Sequence, residues 1–233
     1  MAFDPTKYTT TKAKPLPVVL LLDVSSSMRG GGEQSKIAEL EKAVREMIKD
    51  FAREEQLETE IQLAVITFGN EVKLALPYTN ASKVELNNLE AYGMTPMGTA
   101  LKMAKDMIED KEVTPGRAYR PLVILCSDGA PTDNWEQPMQ DFIANGRSSK
   151  CDRMAMAIGS DANEDVLKRF IAGTNNPLFY AKDASSLHKF FKFVTMSVTS
   201  RSRSQSPNQL VKLEAPKELL ESPKEAGTTQ NYW

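Results

Sequence analysis

The sequence predicts an α/β protein built on a doubly wound, mostly parallel sheet with one antiparallel edge strand. Two observations carry this. Short apolar runs alternate along the chain with amphipathic stretches of ten to twenty residues, the mark of parallel βαβ units with right-handed crossovers. One pair of strand-like runs is instead separated by the short segment Gly69-Asn70-Glu71, whose Gly-Asn turn dipeptide closes an antiparallel hairpin.

The elements follow in order. Residues 17–23 read as the first strand, with a solid apolar run from Val18 to Leu22 that suits burial on both faces. Gly30-Gly31-Gly32 reads as a mobile rim loop leading to a long helix. It lacks the Gly-x-x-x-x-Gly-Lys-Ser/Thr arrangement of a phosphate cradle. The helix is expected over 35–54, because Ile37, Leu40, Val44, Met47, Ile48 and Phe51 recur at three- and four-residue spacing and form one apolar stripe. Ile61–Phe68 reads as the second strand and Val72–Leu76 as its antiparallel edge partner. A helix over 97–110 turns Leu101, Ala104, Met107 and Ile108 inward, and Pro96 fits its first turn. Strands at 121–127, 153–158 and 178–181 then alternate with helices at 135–145, 163–172 and 184–200. The last helix carries Leu187, Phe190, Phe191, Val194 and Val198. Residues 1–15 read as a polar leader, 16–200 as one domain, and 201–233 as a disordered, solvated tail rich in Ser, Arg, Pro, Lys and Glu.

Composition bounds the function. With 41% hydrophobic residues and a net charge of -2, the chain is neither an unfolded polyanion nor a nucleic-acid binder driven by bulk charge, and no groove-reading motif is present. The start lacks the basic-then-apolar order of a secretory signal, and the apolar runs are far shorter than a membrane span, so a cytoplasmic protein with no membrane partner is expected. Cys126 and Cys151 fall near opposite ends of neighbouring strands and read as reduced core thiols. His188 reads as an ordinary helix residue.

Three separated pieces of sequence combine into a candidate metal site. They are Asp23, Ser25 and Ser27 in Asp23-Val24-Ser25-Ser26-Ser27; Thr95 in Gly93-Met94-Thr95-Pro96-Met97-Gly98; and Asp128 in Cys126-Ser127-Asp128-Gly129. The first and third follow apolar strands, at the carboxyl ends where open α/β sheets bind ligands. Two carboxylates and three hydroxyls, with no His or Cys, suit a hard cation. Mg²⁺ fits best, since it needs only one or two protein carboxylates and keeps several waters; Mn²⁺ is the alternative. Asp133 and Trp135 follow on the same loop. They read as a candidate partner-binding rim, with a cap or turn as the simpler role for Asp133.

This Asp-x-Ser-x-Ser, Thr, Asp pattern resembles the metal-ion-dependent adhesion site (MIDAS) of von Willebrand factor A (VWA) domains, which have a Rossmann-like fold. The stretches Leu20–Gly30, Ser127–Trp135 and Phe142–Ser160 look like the bacterial TerY-type (YegL-like) group. The resemblance covers roughly residues 15–204. It implies that Ser25 and Ser27 coordinate the ion directly, with Asp23, Asp128 and Thr95 binding directly or through water according to conformational state. It further implies a non-enzymatic, metal-dependent interaction module of a tellurium-resistance or chemical-stress system. A protein partner would supply an Asp or Glu to the metal, with PP2C-like phosphatases and protein kinases as candidates. Two other classes compete with this reading. A Mg²⁺-dependent HAD-like phosphohydrolase would need a second carboxylate two residues after Asp23, where Ser25 stands. An accessory subunit of an AAA-type ATPase would be recognised by its neighbouring gene or by a copurifying protein.

Overall fold

The computed structural model describes residues 13–30, 35–54, 59–208 and 213–223. Strand β1 (Lys14–Asp23) leads through a 3₁₀ turn (Ser26–Arg29) to helix α1 (Lys36–Arg53). Strands β2 (Thr59–Phe68) and β3 (Val72–Asn80) form the hairpin, and α2 (Met97–Glu109) precedes β4 (Leu122–Ser127). Then come α3 (Glu136–Ala144), β5 (Asp152–Ile158), α4 (Glu164–Ile171), β6 (Leu178–Ala181) and α5 (Ala184–Ser202).

Among the described residues, six strands form one sheet in the order β3-β2-β1-β4-β5-β6. Every neighbouring pair is parallel except β2 with β3, which is antiparallel and shifts register at Leu63, Val65 and Ile66. The fold class is the one the alternation predicts. β1 is buried on both faces, and its alternate side chains feed two cores. Leu16, Val18, Leu20 and Leu22 meet α1 and α5, whereas Val19 and Leu21 meet α2, α3 and α4. The chain leaves β1 toward one face and β4 toward the other, so the crevice between these two strands is the topological switch point of the sheet.

The apolar stripes behave as their spacing requires. Ile37, Leu40, Val44, Met47, Ile48 and Phe51 are all buried on α1. So are Leu187, Phe190, Phe191, Val194 and Val198 on α5, where the Phe190 ring also packs at a tilt against Phe179, with 5.1 Å between ring centroids. His188 does more than fill a helix position. Its ring nitrogens lie 2.9 Å from Glu46 Oε2 and 3.2 Å from Glu39 Oε2, joining α5 to α1. Cys126 and Cys151 are buried free thiols. Burial pushes both thiols up, Cys151 to about 12, so neither is a ready nucleophile.

The expected segment boundaries need correction at both ends. Residues 1–12 lie outside the described residues, but Lys14 and Pro15, placed in the leader, already belong to β1. Gly31 and Gly32 of the rim loop also lie outside. At the other end, the expectation of a disordered, solvated tail from 201 fails for much of what is described. Arg201 is buried in α5, donating from Nε to Pro207 O (3.1 Å) and from Nη2 to Arg120 O (2.6 Å). Leu219 is fully buried against the α1/α5 core, with Leu213 and Ala215 partly buried beside it. Ser222 Oγ donates to Glu164 Oε1 at 2.9 Å. The polar composition concealed three spaced apolar residues, and a few such anchors are enough to dock a segment onto a preformed groove. Residues 209–212 and 224–233 lie outside the described residues.

Candidate metal centre

The three pieces of the predicted site converge at the switch point. β1 ends at Asp23 and β4 at Ser127, so the residues that follow these central, adjacent strands emerge side by side. Asp23 and Asp128 are both fully buried, Ser25 and Thr95 nearly so, and Ser27 is exposed, so the site opens to solvent on the Ser27 side.

The donor atoms are already linked. Ser25 Oγ lies 2.9 Å from Ser27 Oγ, and Ser27 Oγ donates to Asp128 Oδ1 at 2.6 Å. Asp23 accepts from the Ser25 amide at 2.9 Å and from Ser127 Oγ at 2.6 Å. Thr95 reaches the same place from α2's leading loop. A methyl carbon added at Gly129, next to Asp128, would stand 4.0 Å from Thr95 Oγ1.

Backbone stitching holds the pieces in register. Ser26 N donates to Gly93 O (3.1 Å), Gly93 N to Ser26 Oγ (2.9 Å) and Tyr92 N to Val24 O (2.8 Å), tying the first piece to the second. Gly93 takes φ 85°, and a Cβ there would come 2.3 Å from the Asn70 backbone, so glycine is required. Thr95 N donates to Thr132 Oγ1 (2.9 Å) and Thr132 N to Thr95 O (3.0 Å), tying the second piece to the third.

The geometry fits a small divalent ion. Neighbouring oxygens around a six-coordinate Mg²⁺ with bonds near 2.0–2.1 Å stand about 2.9 Å apart, the spacing of the two serine hydroxyls. Among the described residues no three His, Cys, Asp or Glu side chains converge, so the hydroxyls have to complete any donor set. The electrostatics agree. Burial pushes the Asp23 carboxyl up to about 6; hydrogen bonds from Ser127 and Ser25 pull it down, and the neighbouring Asp128 pushes it further up. Two buried carboxylates whose charges act on each other favour a cation bound to both.

The expected rim residues are placed differently. Asp133 caps α2 from across the loop, accepting from Gly98 N (2.9 Å), Thr99 N (2.8 Å) and Thr99 Oγ1 (2.9 Å). Its carboxylate is committed, and the simpler reading of it as a cap holds, although on a helix far away in sequence. Trp135 is half-buried on the α2/α3/α4 core, with the Arg169 guanidinium 5.4 Å from its ring centroid, and does not stand out as a rim aromatic. The exposed apolar residues beside the site are Met94 (64% exposed) and Tyr92 (38%), immediately before Thr95. An apolar residue directly before the candidate ligand Thr95, in a loop, was the available signal for Met94.

Sequence reading also missed two residues in direct contact with the carboxylates. One is Ser127. The other is Lys36, the first residue of α1, whose Nζ lies 2.8 Å from Asp128 Oδ2. A basic residue opening a long helix, at the end where the helix dipole repels cations, was the signal that could have found it.

Comparison with known proteins agrees with this architecture. Residues 18–193 match the von Willebrand factor type A domain. A human protein, inter-alpha-trypsin inhibitor heavy chain H6, is 27% identical in an alignment of 168 residues that covers 65% of this chain and 12% of that protein; the chain thus spans a small part of its relative. A solved von Willebrand factor type A structure from Catenulispora acidiphila superposes with a TM-score of 0.63 at 19% identity, covering 80% of this chain and 43% of that one. Proximal thread matrix protein 1 from the mussel byssus, in a structure with a zinc-occupied MIDAS motif, gives 0.59 at 17% identity over 81% of this chain and 48% of that one.

Proposed function

The chain belongs to the von Willebrand factor type A family, and from that premise we propose that it is a metal-dependent protein-interaction module whose activity is binding without turnover. Asp23, Ser25, Ser27, Thr95 and Asp128 would hold a divalent ion, Mg²⁺ first and Mn²⁺ second, and a partner's Asp or Glu would supply a further oxygen. The observation that carries this reading is the continuous run of oxygens from Ser25 through Ser27 to Asp128, with steps of 2.9 and 2.6 Å, beside two fully buried carboxylates and open to solvent at Ser27. Met94 and Tyr92 flank the opening and would be covered by the partner.

The phosphohydrolase alternative is disfavoured by Asp23 itself. It is fully buried and both its oxygens already accept hydrogen bonds from the protein, so it does not stand ready as a nucleophile. The finer assignment is to a bacterial TerY-type protein acting in the cytoplasm in tellurium-resistance or chemical-stress systems, with a PP2C-like phosphatase or a protein kinase as partner. Its support is the sequence likeness of Leu20–Gly30 and Ser127–Trp135. No helix among the described residues is long and apolar enough to cross a membrane.

The test is affinity capture of the native partner with wild type, Thr95→Ala and Asp23→Ala, each with Mg²⁺ and with EDTA. Chelation should release the partner from wild type. Thr95→Ala should weaken partner capture more than ion binding, and Asp23→Ala should remove both. Equal retention in all six samples would put the interface on another face.

A further inference from the structure

We propose that Lys36 is a built-in counter-ion that sets the affinity of this site for its divalent ion, keeping it weaker than the five oxygens alone would make it. The inference rests on the ion-site reading above and concerns its regulation.

The geometry is that of one carboxylate serving two cations. Asp128 is fully buried; its Oδ1 faces the serine hydroxyls, while its Oδ2 takes the Lys36 ammonium at 2.8 Å. The Lys36 side chain is only 13% exposed, so the pair is screened far less than a surface ion pair. Lys36 also stands where a lysine is otherwise unfavourable. It opens an 18-residue helix, at the end carrying the positive pole of the helix dipole, and none of that helix's first-turn residues but Glu39 offsets it. The contact with Asp128 is what offsets the placement.

The charge sum gives the consequence. Asp23 and Asp128 carry two negative charges when ionised, and Lys36 returns one, leaving the site at -1. A divalent ion then takes it to +1, whereas without Lys36 it would be neutral. The ammonium therefore opposes the ion within a few ångströms, in a partly dry setting where unit charges interact strongly. The same surplus favours an incoming anion once the ion is seated. Lys36 thus exchanges affinity for the ion alone for dependence on an external carboxylate, which suits a site that should close only on a partner.

The experiment measures Mg²⁺ and Mn²⁺ dissociation constants by calorimetry for wild type, Lys36→Met, Lys36→Gln and Lys36→Arg, with melting temperatures in EDTA alongside. Lys36→Met and Lys36→Gln should bind either ion at least about tenfold more tightly, and Lys36→Arg should stay near wild type because it keeps the charge. In EDTA both neutral variants should melt lower, since Asp128 loses its counter-charge. Lys36→Gln, which keeps a hydrogen-bond donor, provides the measurement if Lys36→Met does not fold. Equal affinities in wild type and the neutral variants would overturn the role of Lys36 and leave the site intact. Weaker binding in the neutral variants would make Lys36 a strut that positions Asp128, also against the proposal. No ion binding in any of the four proteins would overturn the site reading itself.

Discussion

Arg153 and Asp23 lie at opposite ends of the sheet, both nearly sealed from water, and their partners differ in kind. Arg153, at the start of β5, gives its guanidinium to four backbone carbonyls: Phe170 O at 2.8 Å, Ala172 O at 2.7 Å, Ser149 O at 3.3 Å and Cys151 O at 3.4 Å. Asp152 beside it accepts from Asn176 Nδ2 at 2.8 Å. Asp23 and Asp128 are instead met mainly by serine hydroxyls and one ammonium. A carbonyl can only accept, so the cluster around Arg153 has one arrangement. A hydroxyl donates or accepts by rotating, so Ser25 and Ser27 can turn from donating toward carboxylates to offering lone pairs to a cation. The basal charges are fixed in place, and the apical ones can exchange partners.

The largest expected effect separates the two ends. Arg153→Ala should cost about 3 to 5 kcal/mol, because it leaves several buried carbonyls unpaired. Urea denaturation would measure this, and divalent-ion affinity should not change. A change in affinity would mean the ends are coupled and would break the comparison. Next comes a packing control that touches neither end. Leu219→Ala should cost about 3 kcal/mol if the segment 213–223 docks as described, again without altering ion binding. An unchanged melting temperature would return that segment to the status of a free tail.

At the apical end, ion at ten times its dissociation constant should stabilise the wild type by about 1.4 kcal/mol, seen as a rise of a few degrees in melting temperature. Asp23→Ala or Asp128→Ala should abolish the rise, and a full rise in both would place the ion elsewhere. The smallest effect is on pH. Asp23 has its folded-state pKa raised from 3.8 to about 6, so in EDTA the folded state binds the proton more tightly. Stability from this group should therefore increase as pH falls through 6, by roughly 1 kcal/mol between pH 7 and 5. Asp152, also pushed up by burial, contributes with the same sign. The difference between wild type and Asp23→Asn isolates the apical share. Identical slopes for the two proteins would show that Asp23 ionises as freely as in an unfolded chain.

Much of the fold was legible because it follows from periodicity. The stripes of α1, α2 and α5 gave their helices to within about two residues, and Gly69-Asn70 gave the hairpin. β1 was read too short at its start, where Lys14 and Pro15 precede the apolar run and a proline argues against a strand, yet its pairing with β2 begins at Lys14. The site residues were legible because strand ends and a helix start can be located locally, and the doubly wound topology does the rest. What sequence could not show are contacts between distant segments with no local signature. Asp133 is legible as a cap or turn carboxylate, but not as the cap of α2, which lies 35 residues earlier; Trp135 lies against a core; and a basic residue opening a helix marks Lys36 without pointing to Asp128 as its partner. Leu219 was hidden by the polarity of its neighbours.

The hairpin bears on edge-to-edge association between sheets. β3 is the outer strand on its side of the sheet, and an outer strand offers unpaired backbone groups to any passing chain. Here that offer is interrupted. Pro77 has no amide hydrogen, Lys73 places a charge along the strand, and the register slips twice against β2 between Leu63 and Ile66. Leu74 is left 40% exposed on a strand that cannot present an unbroken row of donors and acceptors. The irregularity in β3 therefore acts as a guard against edge-to-edge stacking, and replacing Pro77 with a β-branched residue is the change that would expose this protein to aggregation.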